Sequence, residues 1–208
     1  MTADAGSLPR VLLLHGLLSG PIVWNPVREA LAGEARFLAP DLLGYGAARR
    51  PDCPYDLDAM VDHLAPIVAR FEPTHVIGHS MGAIVGLALR ARFPGQFASV
   101  GTVSIPVFAS REDGRRHIGE RGQLVRLFLR NHRAAHIGCR AAARTRVAWE
   151  GIANRVYPMQ PEGIFRAMFH HCHEAHDGAV ERVVFGDVVP ELAEQPGAPV
   201  AAIHRHAG

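Results

Sequence analysis

Short apolar runs alternate along the chain with stretches in which apolar residues recur every three or four positions. Residues 11–14 are an unbroken apolar run, and shorter or weaker runs follow at 37–39, 74–77 and 99–105. An unbroken run is what a strand shows when helices cover both faces of a parallel sheet. Between the runs, Leu57, Met60, Val61, Leu64, Ile67 and Val68 keep helical spacing across residues 57–71, and residues 26–32 and 83–93 read as further helices. Asp56 and Asp58 suit the start of the 57–71 helix, where carboxylates offset the partial positive charge of the first turn. Pro66 falls inside that pattern and, lacking an N–H, predicts a bend or a split of the helix in two. Trp24, just ahead of the first helical stretch, reads as its packing anchor. Strands alternating with helices predict an α/β fold with a doubly wound, mostly parallel sheet.

The pattern changes near residue 109. Arginines become dense, and Leu124, Leu127, Phe128, Trp149, Ile152 and Val156 suggest several amphipathic helices. Residues 188–193 then read as a short helix, 195–199 as a turn and 200–204 as a last apolar strand. The predicted organisation is a core at 1–108, a helical insertion at 109–189 and a return to the core at 190–208.

A length of 208 residues with 48% hydrophobic positions supports one sizeable core carrying an insertion, and is too short for two ordinary domains. A formal charge of +2 argues against nucleic acid or a membrane surface as partner. All 22 basic residues are arginine, a compositional bias that says little about function. Cys53, Cys139 and Cys172 are odd in number and widely spaced, which speaks against a disulfide framework or a zinc ribbon. The first residues lack a basic leader, and the run at 11–14 is too short for a signal peptide. No stretch approaches a membrane span, so the expected location is the cytoplasm.

The stretch that carries chemistry is Gly78-His79-Ser80-Met81-Gly82, set between the run at 74–77 and the helix at 83–93. In a G-x-S-x-G turn the serine sits on a sharp strand-to-helix bend, where a side chain on either glycine would strike neighbouring backbone. The bend lifts the hydroxyl clear of the sheet and aims N–H groups of the helix start at an incoming negative charge. Two further stretches occur upstream: His15-Gly16-Leu17-Leu18-Ser19-Gly20 after the first run, and Pro40-Asp41-Leu42-Leu43-Gly44-Tyr45-Gly46 after the second.

In order and spacing these three segments resemble the α/β-hydrolase superfamily. The resemblance implies that Ser80 is a nucleophile and that the backbone N–H groups of Leu17 and Met81 form an oxyanion hole. His15, Gly16, Gly78, His79 and Gly82 would support the elbow and the oxyanion loop. His79 is too close to Ser80 on so tight a turn to act as its base. The family counterpart of Asp41 fixes a turn and is not a catalytic acid. Residues 109–189 would form a helical cap over the serine, with Phe128, Trp149, Met159, Phe165 and Met168 as candidates to line a pocket for a small ester or other carbonyl substrate. Dehalogenases and epoxide hydrolases need an aspartate where Ser80 stands and are disfavoured. No cofactor is implied.

One stretch, His170-His171-Cys172-His173-Glu174-Ala175-His176-Asp177, raises the question of a metal. On a helix, Cys172 or His173 would neighbour His176. The zinc-protease signature is H-E-x-x-H, and here only Ala175 separates Glu174 from His176, so the register fails. The cluster reads as a solvated helix face, and no metal site is predicted.

By the same resemblance the strand at 200–204 should lead to the acid of a triad, and a later loop to its histidine. The closing residues contain no Asp or Glu; His204 and His206 would need a rearranged geometry, and Asp113 sits several residues too far along from the earlier strand. The expectation is a chain that ends before the last core strand and helix, with an incomplete triad, an exposed sheet edge and poor solubility. Two functions remain open: a serine hydrolase, and a hydrolase-like protein that binds a small ligand without turnover.

Overall fold

Five strands, β1 (Arg10–Leu14), β2 (Arg36–Leu38), β3 (His75–His79), β4 (Ser99–Val103) and β5 (Val200–Ile203), form one all-parallel sheet in the order β2-β1-β3-β4-β5. The computed structural model describes residues 8–17, 19–48, 53–120, 137, 183–184 and 199–203. The connection from β1 leads to β2 on one side of it, and the crossover from β2 returns past β1 to β3 on the other side, so the strand order reverses between β1 and β3. In open α/β sheets that reversal opens a crevice at the carboxyl ends of the strands, the usual place for a ligand site.

Alternation along the strands divides the core. Leu12 and Leu14 face one side with Val76 and Val100, covered by Met60, Val61, Leu64 and Val68 of α2 (Leu57–Phe71) and by Ile84, Val85 and Leu87 of α3 (Met81–Arg92). Val11 and Leu13 face the other, under Trp24 and Val27, the latter on α1 (Asn25–Ala30). Both faces of β1 are therefore dry, which is why its sequence shows no polar alternation. Trp24 is buried at the head of α1, the anchoring role expected of it. The α3 helix is buried from Met81 through Arg90, as befits the central helix of the layer.

The strands fall within a residue or two of the apolar runs that predicted them. Of the two outcomes expected at Pro66, a bend or a split, the split does not occur: α2 runs unbroken for 15 residues. Pro66 lies on the exposed side of the helix, where the carbonyl that would have accepted its missing N–H can turn to water. Asp56 caps this helix by accepting the Ala59 N–H at 2.9 Å, and Glu72 closes it in the left-handed region at φ 46°.

Beyond β4, α4 (Arg111–Gly119) opens the region predicted as helical insertion. Ser110 caps it by accepting the Asp113 N–H at 3.1 Å, and Asp113 pairs with Arg116 one turn on. Most of the remaining insertion, including Phe128, Trp149, Met159, Phe165, Met168 and the 170–177 histidine stretch, lies outside the described residues, as do His204 and His206. Val200, Ala201 and Ala202 of β5 are exposed. Among the described residues, no helix is long and apolar enough to cross a membrane, and no group of metal-ligating side chains converges.

Candidate active site

Ser80 sits between β3 and α3 with φ 53° and ψ −120°, a combination that L side chains strongly disfavour. Three contacts hold it there. Its N–H donates to the Val103 carbonyl at 2.9 Å, its own carbonyl accepts the Ala83 N–H at 2.9 Å, and the two flanking glycines admit no side chain. A Cβ on Gly78 would stand 2.2 Å from the Gly82 oxygen, and one on Gly82 would stand 2.4 Å from the Leu14 oxygen. The helix start is thus pressed against the end of β1, and Ser80 is left half-buried at the carboxyl edge of the sheet.

Met81 is the first residue of α3, and the first N–H groups of a helix have no acceptor within it. Facing it from the other side of the switch point is the loop after β1. Gly16 comes so close that a Cβ there would stand 3.1 Å from the Ser80 Cβ and 3.0 Å from His79 Nδ1. The His15-Gly16 segment and the elbow, 64 positions apart in sequence, therefore meet.

His15 is fully buried and its ring is fixed at both nitrogens. Nδ1 donates to the Gly16 carbonyl at 2.9 Å, and Nε2 accepts the Leu42 N–H at 3.0 Å. The ring also stands edge-on to Tyr45, with centroids 5.3 Å apart. Burial pushes its pKa down from 6.5 to about 4, against smaller opposing effects of the Gly16 carbonyl and the Asp41 charge. The neutral imidazole is the form that the Leu42 contact requires.

His79 is half-buried beside the serine, its Nδ1 sealed from solvent and without a hydrogen-bond partner among the described residues. Burial lowers its pKa as well. Asp41 is occupied in its own turn, where Oδ2 accepts the Ala47 N–H at 2.9 Å and the carboxylate fills the space a Gly46 side chain would need. Asp113 serves α4 in the same structural way. Sequence reasoning passed over His63, which donates through Nε2 to the Asp41 carbonyl at 3.1 Å. Its one sequence signal is position: three residues after Met60 and four before Ile67, it flanks the apolar stripe of α2.

A parallel α/β sheet whose central strand turns through a strained serine into a buried helix, beside a glycine loop at the switch point, defines an α/β-hydrolase-type site. The chain belongs to the alpha/beta hydrolase family, whose model it matches over residues 11–206. It is 36% identical over 99 residues to a 2-hydroxymuconate semialdehyde hydrolase of Pseudomonas sp. (strain CF600), a match covering 44% of this chain and 34% of that protein. Its fold is similar to that of a hydrolase from Pseudomonas aeruginosa PA01, with TM-score 0.68, 19% identity, and coverage of 98% of this chain and 73% of the other. The enol-lactonase from Burkholderia xenovorans LB400 gives TM-score 0.67 at 21% identity, covering 97% and 74%. The matches span 24% to 35% of the length of the curated relatives, and about three quarters of these two solved structures.

Proposed function

We propose that the protein is a serine hydrolase acting on a small ester or other carbonyl compound in the cytoplasm. The observation that carries this reading is the backbone of Ser80, strained at φ 53° and ψ −120° and held by two glycines that tolerate no Cβ. Strain of this kind persists only where the surroundings over-determine it, and it gathers at functional positions. In the proposed reaction Ser80 Oγ attacks the carbonyl carbon, the C=O electron pair moves onto oxygen, and the N–H groups of Leu17 and Met81 receive the resulting oxyanion. The hydroxyl proton must pass to a base as the new bond forms. Collapse expels the leaving group and leaves an acyl-serine that water then hydrolyses. The names of the relatives, a semialdehyde hydrolase and an enol-lactonase, agree with a carbonyl substrate.

A second reading is favoured by the state of the described imidazoles. His15 is committed to Gly16 and Leu42, His63 to Asp41, His75 to Ser99, His117 packs on Phe108, and His79, with Nδ1 unpartnered among the described residues, immediately precedes Ser80 on a turn too tight for it to act as the base. A chain lacking a base would bind a ligand at this site without turning it over. A fluorophosphonate probe separates the two. Labelling that disappears in Ser80→Ala supports the hydrolase, whereas a folded wild-type chain that stays unlabelled supports the binding protein.

A further inference from the structure

We propose that His63 is a positioning residue for the oxyanion site, acting on the Leu17 N–H through a directed chain of hydrogen bonds that crosses two peptide groups and the His15 ring. The proposal rests on the reading of Leu17 as an oxyanion donor to a Ser80-derived intermediate.

The atom roles leave no freedom. A carbonyl oxygen only accepts, so His63 Nε2, 3.1 Å from the Asp41 oxygen, carries its proton. That oxygen belongs to the peptide whose other end is the Leu42 N–H, which donates to His15 Nε2 at 3.0 Å. His15 Nε2 is therefore bare and Nδ1 protonated, and Nδ1 donates to the Gly16 oxygen at 2.9 Å. The Gly16 carbonyl is in turn one end of the peptide whose other end is the Leu17 N–H. Every link donates in the same direction, from α2 toward the serine.

Two physical effects follow. A peptide whose carbonyl accepts a hydrogen bond becomes a better donor through its N–H, and in a run of aligned bonds each link strengthens the next by about 10–30%. The middle of this run is dry, because His15 and residues 42–45 are buried. The second effect is geometric. Gly16 has no side chain to lock its backbone, and the tie from His15 to its carbonyl fixes the plane of the 16–17 peptide against Ser80. His63 holds the far end of the support on which His15 rests. Its separation from Leu17 in sequence is 46 positions, and periodicity alone could not have paired them.

The test compares His63→Leu, which removes the donor, with His63→Gln, whose amide nitrogen can donate at similar reach, using p-nitrophenyl acetate as substrate. Deleting a direct oxyanion donor costs about 10²–10³ in kcat, and an indirect support should cost less, about tenfold. His63→Leu is expected to lower kcat by that amount with KM changed less than about twofold, and His63→Gln to recover most of it. Equal losses in both variants, or a loss confined to KM, would overturn the proposal.

A second readout does not depend on turnover. In the wild-type chain a through-bond ¹⁵N–¹⁵N coupling should join Leu42 N to His15 Nε2, and in His63→Leu the Leu17 amide proton should move upfield. Absence of the coupling, or an unmoved Leu17 amide, overturns the relay even if the variant is fully active. A wild-type chain that neither labels nor turns over ester overturns the hydrolase reading instead, and the amide shift then decides the relay by itself.

Discussion

Gly78 and Gly82 touch across the bend that carries Ser80, so that a Cβ on the first would stand 2.2 Å from the carbonyl oxygen of the second. Real Cβ atoms do not approach backbone so closely, and backbone on both sides of the contact is fixed by β3 and α3. Gly78→Ala and Gly82→Ala should each destabilise the fold by about 3 kcal/mol or more, beyond the usual cost of an extra methylene in a packed core. Gly86→Ala is the control. Its nearest neighbour is the Val76 side chain at 3.3 Å, and alanine recovers about 1 kcal/mol of helix propensity, so the net change should lie near zero. Urea unfolding of the three variants checks the order, and a Gly78→Ala protein as stable as Gly86→Ala would refute the packing described for the elbow.

Strain at Ser80 predicts an exchange of stability for reactivity. Glycine adopts φ 53°, ψ −120° without penalty, whereas serine and alanine both bear it. Ser80→Gly should therefore be more stable than Ser80→Ala by about 1 kcal/mol, after the added freedom of glycine in the unfolded chain is set against the relief of strain. Both variants should fail to react with a fluorophosphonate. Equal unfolding midpoints for the two would show that the elbow is relaxed and would remove the main support for Ser80 as nucleophile.

Acid should loosen the site through His15. Its folded pKa, about 4, lies below the ordinary 6.5, so between these values the unfolded chain binds a proton that the folded one refuses. Stability contributed by the neutral ring is present above pH 6.5, declines as pH falls through that window, and is fully lost below about 4. A shift of that size corresponds to about 3 kcal/mol. His79, lowered by burial as well, acts in the same direction. Unfolding free energy measured from pH 7 to 4 should fall accordingly, and His15→Asn should be less stable at neutral pH but show a flatter dependence. An unchanged slope in His15→Asn would assign the acid sensitivity elsewhere.

Much of this architecture was readable before any coordinates, for reasons that differ from element to element. The strand runs are legible because both faces of the sheet are covered, so Val11, Leu12, Leu13 and Leu14 must all be apolar. The elbow is legible because Gly78 and Gly82 are there for want of space, a constraint that only residue identity can satisfy. The tolerance of α2 for Pro66 was not, since periodicity predicts which face is buried but not how a freed carbonyl is accommodated. Nor were the partners of His15 and His63. Each bonds to a backbone atom, and backbone acceptors and donors leave no mark on the sequence of the segment that supplies them.

Asp41 offers the sharpest contrast between position and role. It follows β2 at the carboxyl edge of the sheet, where a catalytic acid could stand, yet its Oδ2 accepts the Ala47 N–H at 2.9 Å. Gly46, at φ 48°, leaves the room that the carboxylate occupies, since a Cβ there would lie 2.3 Å from it. The side chain is thus spent on closing the 41–47 turn. Asp41→Ala should lose about 1–2 kcal/mol through the vacated acceptor, and Asp41→Asn, which keeps an oxygen in place, less than about 1 kcal/mol. Neither change should reduce fluorophosphonate labelling at Ser80 by more than about threefold once the folded fraction is matched. An acid that orients a catalytic histidine behaves otherwise, its asparagine variant losing about 10⁴ in rate while staying folded. A stable Asp41→Asn protein with labelling reduced on that scale would move Asp41 from the turn into the catalytic machinery.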